Sequence, residues 1–274
     1  MRIAVHQMTS GIDPQKNLAC MISAVATSAE TGAIMYFAPE MSLMLNRNRR
    51  EARSLICSES ASSALSQLQE CARDNKIWVH LGSIAVQHEE GKFANRSLVI
   101  SPDGAVKARY DKIHLFDVSL ASGESWRESS AYTAGTQPVI VHTPLGLMGL
   151  AICYDMRFPD LFSAYAKAGV GVLTLPSAFT VPTGEAHWHS LLRARAIESA
   201  SFVIAAAQAG LHADGRETYG HSLVVDPWGR VLLDMGSVPG LAFVDLDLTQ
   251  IVAVRDQIPV HANRQTITDP LVME

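Results

Sequence analysis

The chain has 274 residues, 48% hydrophobic and 18% charged, with a formal net charge of −5. A chain of this length buries roughly three quarters of its unfolded surface, which excludes a small fold that needs metal or disulfide staples. Basic residues are scattered apart from Arg47, Arg49 and Arg50, so the sequence carries no electrostatic footprint for nucleic acid.

In chain order, the opening stretch MRIAVHQMTSGIDPQ has too short an apolar run for a signal peptide, and no window reaches the roughly eighteen apolar residues of a membrane span. A soluble, cytoplasmic protein without a membrane partner is expected. Apolar runs at 2–8, 33–39, 77–86, 147–153, 170–176 and 202–208 predict strands covered on both faces. Helical periodicity fills 13–31, 60–76, 159–169 and 184–200, with Asp13 and Ser60 as N-caps and Gly169 as an exit. The segment 117–136 is long, without clear periodicity, and reads as a loop that is either functional or disordered.

SLVISPDGAV at 97–106 aligns with SLVVDPWGRV at 222–231, each a strand, a Pro/Gly turn and a returning strand. Each half of the chain then reads strand, helix, strand, helix, strand, hairpin. The fold expected is α/β: a four-layer α-β-β-α sandwich of two mixed sheets with internal pseudo-two-fold symmetry. Residues 1–274 are expected to form a single domain, with 256–274 as a C-terminal arm.

Cys20, Cys57, Cys71 and Cys153 form no C-x-x-C pair and do not alternate with histidine at metal-ligand spacing, so no metal site is expected. Cys20 and Cys71 read as core residues of helices. Cys153 ends the apolar run LMGLAIC, just before the charged, turn-prone YDMRFPD, at the carboxyl end of a strand where open α/β sheets build their sites. A turn there directs the backbone N–H of Tyr154, and of Asp155, toward a ligand. An inert buried thiol is the plain alternative. A nucleophilic thiol needs a base or cation beside it, and two other strand ends deliver Glu40 and Lys112. Taken singly these read as a loop carboxylate and a surface lysine.

Together, Pro39-Glu40, Asp111-Lys112-Ile113-His114-Leu115 and Ile152-Cys153-Tyr154-Asp155-Met156-Arg157-Phe158-Pro159 resemble the Glu-Lys-Cys signature of the nitrilase, or carbon-nitrogen hydrolase, superfamily. The likeness covers nearly the whole chain. Within that superfamily, CYDMRFPDL, TGEAHWHSLLRARAIE and YGHSLVVDPWG are most similar to the branch containing deaminated glutathione amidase and ω-amidase.

The resemblance implies that Glu40 is the general base, Cys153 the nucleophile, and Lys112 with the Tyr154 N–H the oxyanion donors. Glu128, rather than Glu124, matches the second glutamate that buttresses the site. It implies hydrolysis of a small amide to a carboxylate and ammonia through a thioester, with water as co-substrate, no cofactor and a homodimer or higher homo-oligomer. Phe179, Thr183 and His187 are the expected pocket residues, while Asp155 and Arg157 brace the turn. The segment 41–51 departs from the branch pattern. Its arginines suit anionic ω-amides, although a plain solvated basic face is the reading the sequence favours for them. A thiol paired with His187, His189 or His221, a zinc amidohydrolase and a non-catalytic member of the fold are the rival readings.

Overall fold

The computed structural model describes residues 1–88, 91–119, 123 and 125–273. The strands are β1 (Arg2–Gln7), β2 (Met35–Phe37), β3 (Trp78–His80), β4 (Ile84–Gln87), β5 (Phe93–Ile100), β6 (Val106–Asp111), β7 (Asp117–Ser119), β8 (Ser125–Arg127) and β9 (Val139–Thr143). They continue as β10 (Gly146–Leu150), β11 (Val172–Thr174), β12 (Phe202–Ala205), β13 (Ala209–Leu211), β14 (Glu217–Tyr219), β15 (Leu223–Val225), β16 (Val231–Asp234) and β17 (Gly240–Asp245). The helices are α1 (Pro14–Glu30), α2 (Arg49–Leu55), α3 (Ser63–Asn75), α4 (Pro159–Lys167), α5 (Val181–Ser199) and α6 (Thr249–Gln257).

Two mixed sheets repeat one plan. The first runs β17-β1-β2-β3-β5, with β4 and β6 also on β5, and the second runs β9-β10-β11-β12-β15-β16. In both, an antiparallel strand flanks three parallel ones and a hairpin closes the far side. The two hairpins even share an irregularity, a register shift at Val99/Ile100 and at Val224/Val225, the aligned positions of the duplication.

Period-2 alternation sorts the layers. Ile3, Val5, Met35 and Phe37 join Met148, Leu150, Val172 and Val203 in one core, which also takes Phe162, Tyr165, Trp188 and Leu192 from α4 and α5. Ala4, Tyr36 and Val79 face the other way, against Leu18, Met21, Leu65 and Leu68 of α1 and α3. The expected four-layer α-β-β-α sandwich is the architecture found.

Several boundaries differ from the sequence reading. Asp13 caps α1 as expected, its side chain accepting from the Gln15 and Lys16 amides. Ser62, not Ser60, caps α3, because Ser60 sits in a preceding 3-10 turn (Glu59–Ala61). The apolar run 77–86 breaks into β3 and β4, which lie along one edge of β5. The break is at Gly82, φ 67°, where an added Cβ would stand 1.9 Å from the Pro39 carbonyl oxygen. Only a residue without a side chain lets the chain pass so close to the segment carrying Glu40. The 117–136 segment holds the antiparallel pair β7–β8 and a 3-10 turn (Glu128–Ser130) rather than an unstructured loop. No helix among the described residues is long and apolar enough to cross a membrane.

Candidate active site

Three strand ends converge. Glu40 lies three residues past β2 and Lys112 directly follows β6. Cys153 opens a 3-10 turn (Cys153–Arg157) just past β10 with φ 48°, a left-handed conformation that non-glycine residues seldom adopt. That kink is fastened by Asp155, which is fully buried. Its Oδ2 accepts from the Ile152 amide (2.9 Å) and the Tyr110 hydroxyl (2.7 Å), while its Oδ1 accepts from the His114 amide (3.0 Å) and stands 2.7 Å from His114 Nδ1. One carboxylate therefore ties the cysteine turn to the segment after Lys112. Arg157 lies over the Phe179 ring, 5.4 Å from its centroid, and reaches His187.

Lys112 Nζ donates to Glu40 Oε1 at 2.9 Å and to Glu128 Oε2 at 2.9 Å. Glu128 is also fixed by the Phe116 amide (2.7 Å) and Glu40 by the Ala178 amide on its second oxygen (2.8 Å). Cys153 completes the set, lining the same cavity as Glu40 and close enough that each shifts the other's titration. Asn95, on β5, was not singled out from the sequence. Its Nδ2 donates to both Glu40 Oε1 (2.9 Å) and Glu128 Oε1 (3.2 Å). The signal was a polar residue among the buried positions of a strand, FANRSLVI, which is common enough to pass as a ladder residue. Glu124 lies outside the described residues.

The charges sort the protonation states. Burial pushes the Cys153 thiol well above its ordinary range, the Glu40 charge pushes the same way, and Lys112 only partly opposes them. Burial also works against ionised Glu40, but the Lys112 ammonium and the hydrogen bonds from Lys112 and Asn95 prevail and hold its carboxyl below the usual range. For Lys112, burial favours the neutral amine, yet the charges of Glu128 and Glu40 outweigh it and keep the ammonium. Two carboxylates around one ammonium leave no room for a third anion, so the resting pair is a thiol beside a carboxylate.

Glu40, Lys112, Glu128 and Cys153 line a cavity of about 360 Å³, within the size range of small-molecule sites. Phe179 and Thr183 are in its lining; Arg47 and Arg49, for which the sequence favours a solvated basic face, are there too. Arg50 is not among the lining residues. His187 is a correction: it is exposed on α5, outside the lining, with Nδ1 3.4 Å from the Arg157 guanidinium, because the helical turn buries Trp188 instead. Arg216 and Trp126 join the lining unforeseen, with Arg47 and Arg216 over the Trp126 ring at 5.1 and 5.5 Å.

The sequence matches the carbon-nitrogen hydrolase family over residues 2–256. The chain belongs to that family. It is thus a hydrolase of carbon–nitrogen bonds other than peptide bonds, a member of the nitrilase superfamily. Mouse deaminated glutathione amidase is 43% identical to this hydrolase over 273 residues, covering 96% of this chain and 83% of the relative. The crystal structure of the Caenorhabditis elegans NitFhit protein superposes with a TM-score of 0.89 at 38% identity; the match covers 96% of this chain but only 65% of that fusion protein. An amidase from Nesterenkonia, in which acrylamide has added to the active-site cysteine, matches with a TM-score of 0.79 at 28% identity, covering 94% of this chain and 98% of its own.

Proposed function

We propose that this hydrolase cleaves small anionic amides by a Cys153 thioester, as a deaminated glutathione amidase or a near equivalent. The carrying observation is that the Cys153 thiol, the Glu40 carboxylate and the Lys112 ammonium, all buried, line one cavity.

Sγ attacks the amide carbonyl carbon while its proton passes to Glu40, forming the C–S bond and placing the carbonyl electron pair on oxygen. Lys112 Nζ and the Tyr154 N–H are the oxyanion donors in this reading. The tetrahedral intermediate collapses as Glu40 returns the proton to nitrogen, the C–N bond breaks, and ammonia or an amine leaves. Glu40 then deprotonates water, which attacks the thioester, and the C–S bond breaks with the thiol reprotonated. Glu128 holds Lys112 in place throughout, and Asn95 Nδ2 donates to both glutamates and so fixes their positions.

Anionic substrates are favoured by the cavity lining, which includes Arg47, Arg49 and Arg127, with Arg216 beside them already paired to Asp214 at 2.8 Å. Guanidinium forks match carboxylates. Exposed apolar residues in the tail, including Ile267 and Leu271, fit a C-terminal arm packed on a second copy, so we extend the reading to one domain assembled as a homodimer. The four free cysteines suit a reducing compartment such as the cytoplasm.

Rates on deaminated glutathione, α-ketoglutaramate, neutral aliphatic amides and nitriles test the substrate. Preference for the anionic amides is expected; activity confined to nitriles would refute the proposal. The proton inventory predicts a pH profile as well. Glu40 works ionised and its pKa lies below the ordinary carboxyl range, so kcat/KM should persist as pH falls from neutrality and drop only beneath that range. The thiol's raised pKa keeps the alkaline side flat through neutrality. An acid limb at or above the ordinary carboxyl value would contradict the assignment of Glu40.

A further inference from the structure

Outside the catalytic cavity, three metal-ligating side chains from three separate segments meet. His189 lies on α5, His221 between β14 and β15, and Asp234 ends β16. Each offers one ligand atom, and these atoms lie within 4.8 Å of one another. We propose that His189, His221 and Asp234 form a transition-metal site of the zinc class, independent of the hydrolytic reaction.

The frame is built before any ion arrives. Asp234 divides its oxygens, Oδ2 standing 2.9 Å from His189 Nε2 and Oδ1 2.8 Å from His221 Nδ1, and Oδ1 also accepts from the Gly236 amide at 2.9 Å. The His221 ring stacks on Tyr219, with centroids 4.4 Å apart and planes at 21°, and meets His189 edge-on at 5.2 Å. Its backbone is held in a left-handed conformation, φ 54°, with its carbonyl accepting from Trp188 Nε1 at 2.8 Å. None of the three residues lines the catalytic cavity.

The donor set selects the ion. Two imidazoles and a carboxylate are the ligands of three-coordinate protein sites that leave a fourth position to water, whereas magnesium and calcium take oxygen ligands. Zinc bonds of about 2.0–2.2 Å need donors slightly farther apart than hydrogen-bonded ones, an adjustment open to His189, whose side chain is 36% exposed. Binding replaces each N–H hydrogen bond to Asp234 with a nitrogen–metal bond. The displaced proton moves to the other ring nitrogen or to solvent, and the carboxylate is already anionic. The two histidines of HWH at 187–189 are not partners; the pairing is with His221, out of reach of any local sequence spacing.

The test uses the full chain stripped with a chelator. Calorimetric titration with Zn²⁺ should show one ion per chain, and His189→Gln and Asp234→Asn should each weaken binding at least tenfold while melting cooperatively. Should a variant not fold, the Co²⁺ complex of the unaltered chain decides: nitrogen and oxygen ligand-field bands without a sulfur charge-transfer band support the site. Absence of Zn²⁺ binding, affinity within tenfold of the parent in both folded variants, or a cobalt–sulfur band that places the ion on Cys153 or another thiol would overturn it.

Discussion

Replacing Cys153 by alanine should abolish hydrolysis, with a loss on the order of a million-fold in kcat, the scale seen when a catalytic nucleophile is removed from a unit that acts together. The remaining cavity, with its arginines and the Lys112 ammonium, still binds substrate, so KM should change far less than kcat. Stability should hardly fall, because the thiol contributes little packing volume and Glu40 keeps its hydrogen bonds from Lys112, Asn95 and the Ala178 amide. Intact mass after cold mixing with an amide reads the chemistry directly. An acyl adduct on the parent chain and none on Cys153→Ala is expected; an adduct that survives the substitution would place the nucleophile elsewhere.

Lys112→Ala should be damaging in two separable ways. Loss of one oxyanion donor removes roughly 2.7–4 kcal/mol of transition-state stabilisation, or about 10²–10³ in kcat. The second effect is structural. The Lys112, Glu40 and Glu128 side chains are 2%, 6% and 13% exposed, and removing the ammonium strands two buried carboxylates that share Asn95 as a donor. Breaking a buried ion pair from one side costs about 3–5 kcal/mol. Burial would then dominate Glu40 and raise its pKa, shifting the acid limb of activity upward. Lys112→Met, which keeps the stem and packing, should recover part of the stability and none of the turnover. Denaturant unfolding and single-turnover kinetics separate the two, and near-parental turnover by folded Lys112→Met would remove Lys112 from the mechanism.

The fastening of this site explains why so many segments serve it. Asp155 binds the turn after Cys153 to the segment after Lys112, and Gly82 lets β3 and β4 pass against Pro39. Gly135 plays the same part behind Lys112, where an added Cβ would stand 2.1 Å from the Asp111 carbonyl oxygen. Both glycines support the residue just before one of the two charged residues assigned catalytic roles in the proposed mechanism. Positions held this closely suit chemistry in which small displacements carry large rate penalties.

What the sequence determined by itself was whatever depends on neighbours along the chain. Apolar runs bounded by Gly and Pro set the strands, Asp13 set a helix start, and the repeated SLV-x-x-P-x-G hairpins exposed the duplication. Glu40, Lys112 and Cys153 were legible only as a set, through the family resemblance their three segments carry together; singly, the first two read as a loop carboxylate and a surface lysine.

Tertiary structure decided the rest. Asn95 acquires its partners from positions 55 and 33 residues away, and β17 returns from the far end of the chain to pair with β1. Trp188 rather than His187 turns inward because the sheet beneath α5, not the helix's own periodicity, chooses the buried face. His189 finds Asp234 across 45 residues for the same reason. Local patterning specifies which elements form, but side chains meet only after two sheets have packed, since contact energies act through space and carry no record of sequence separation.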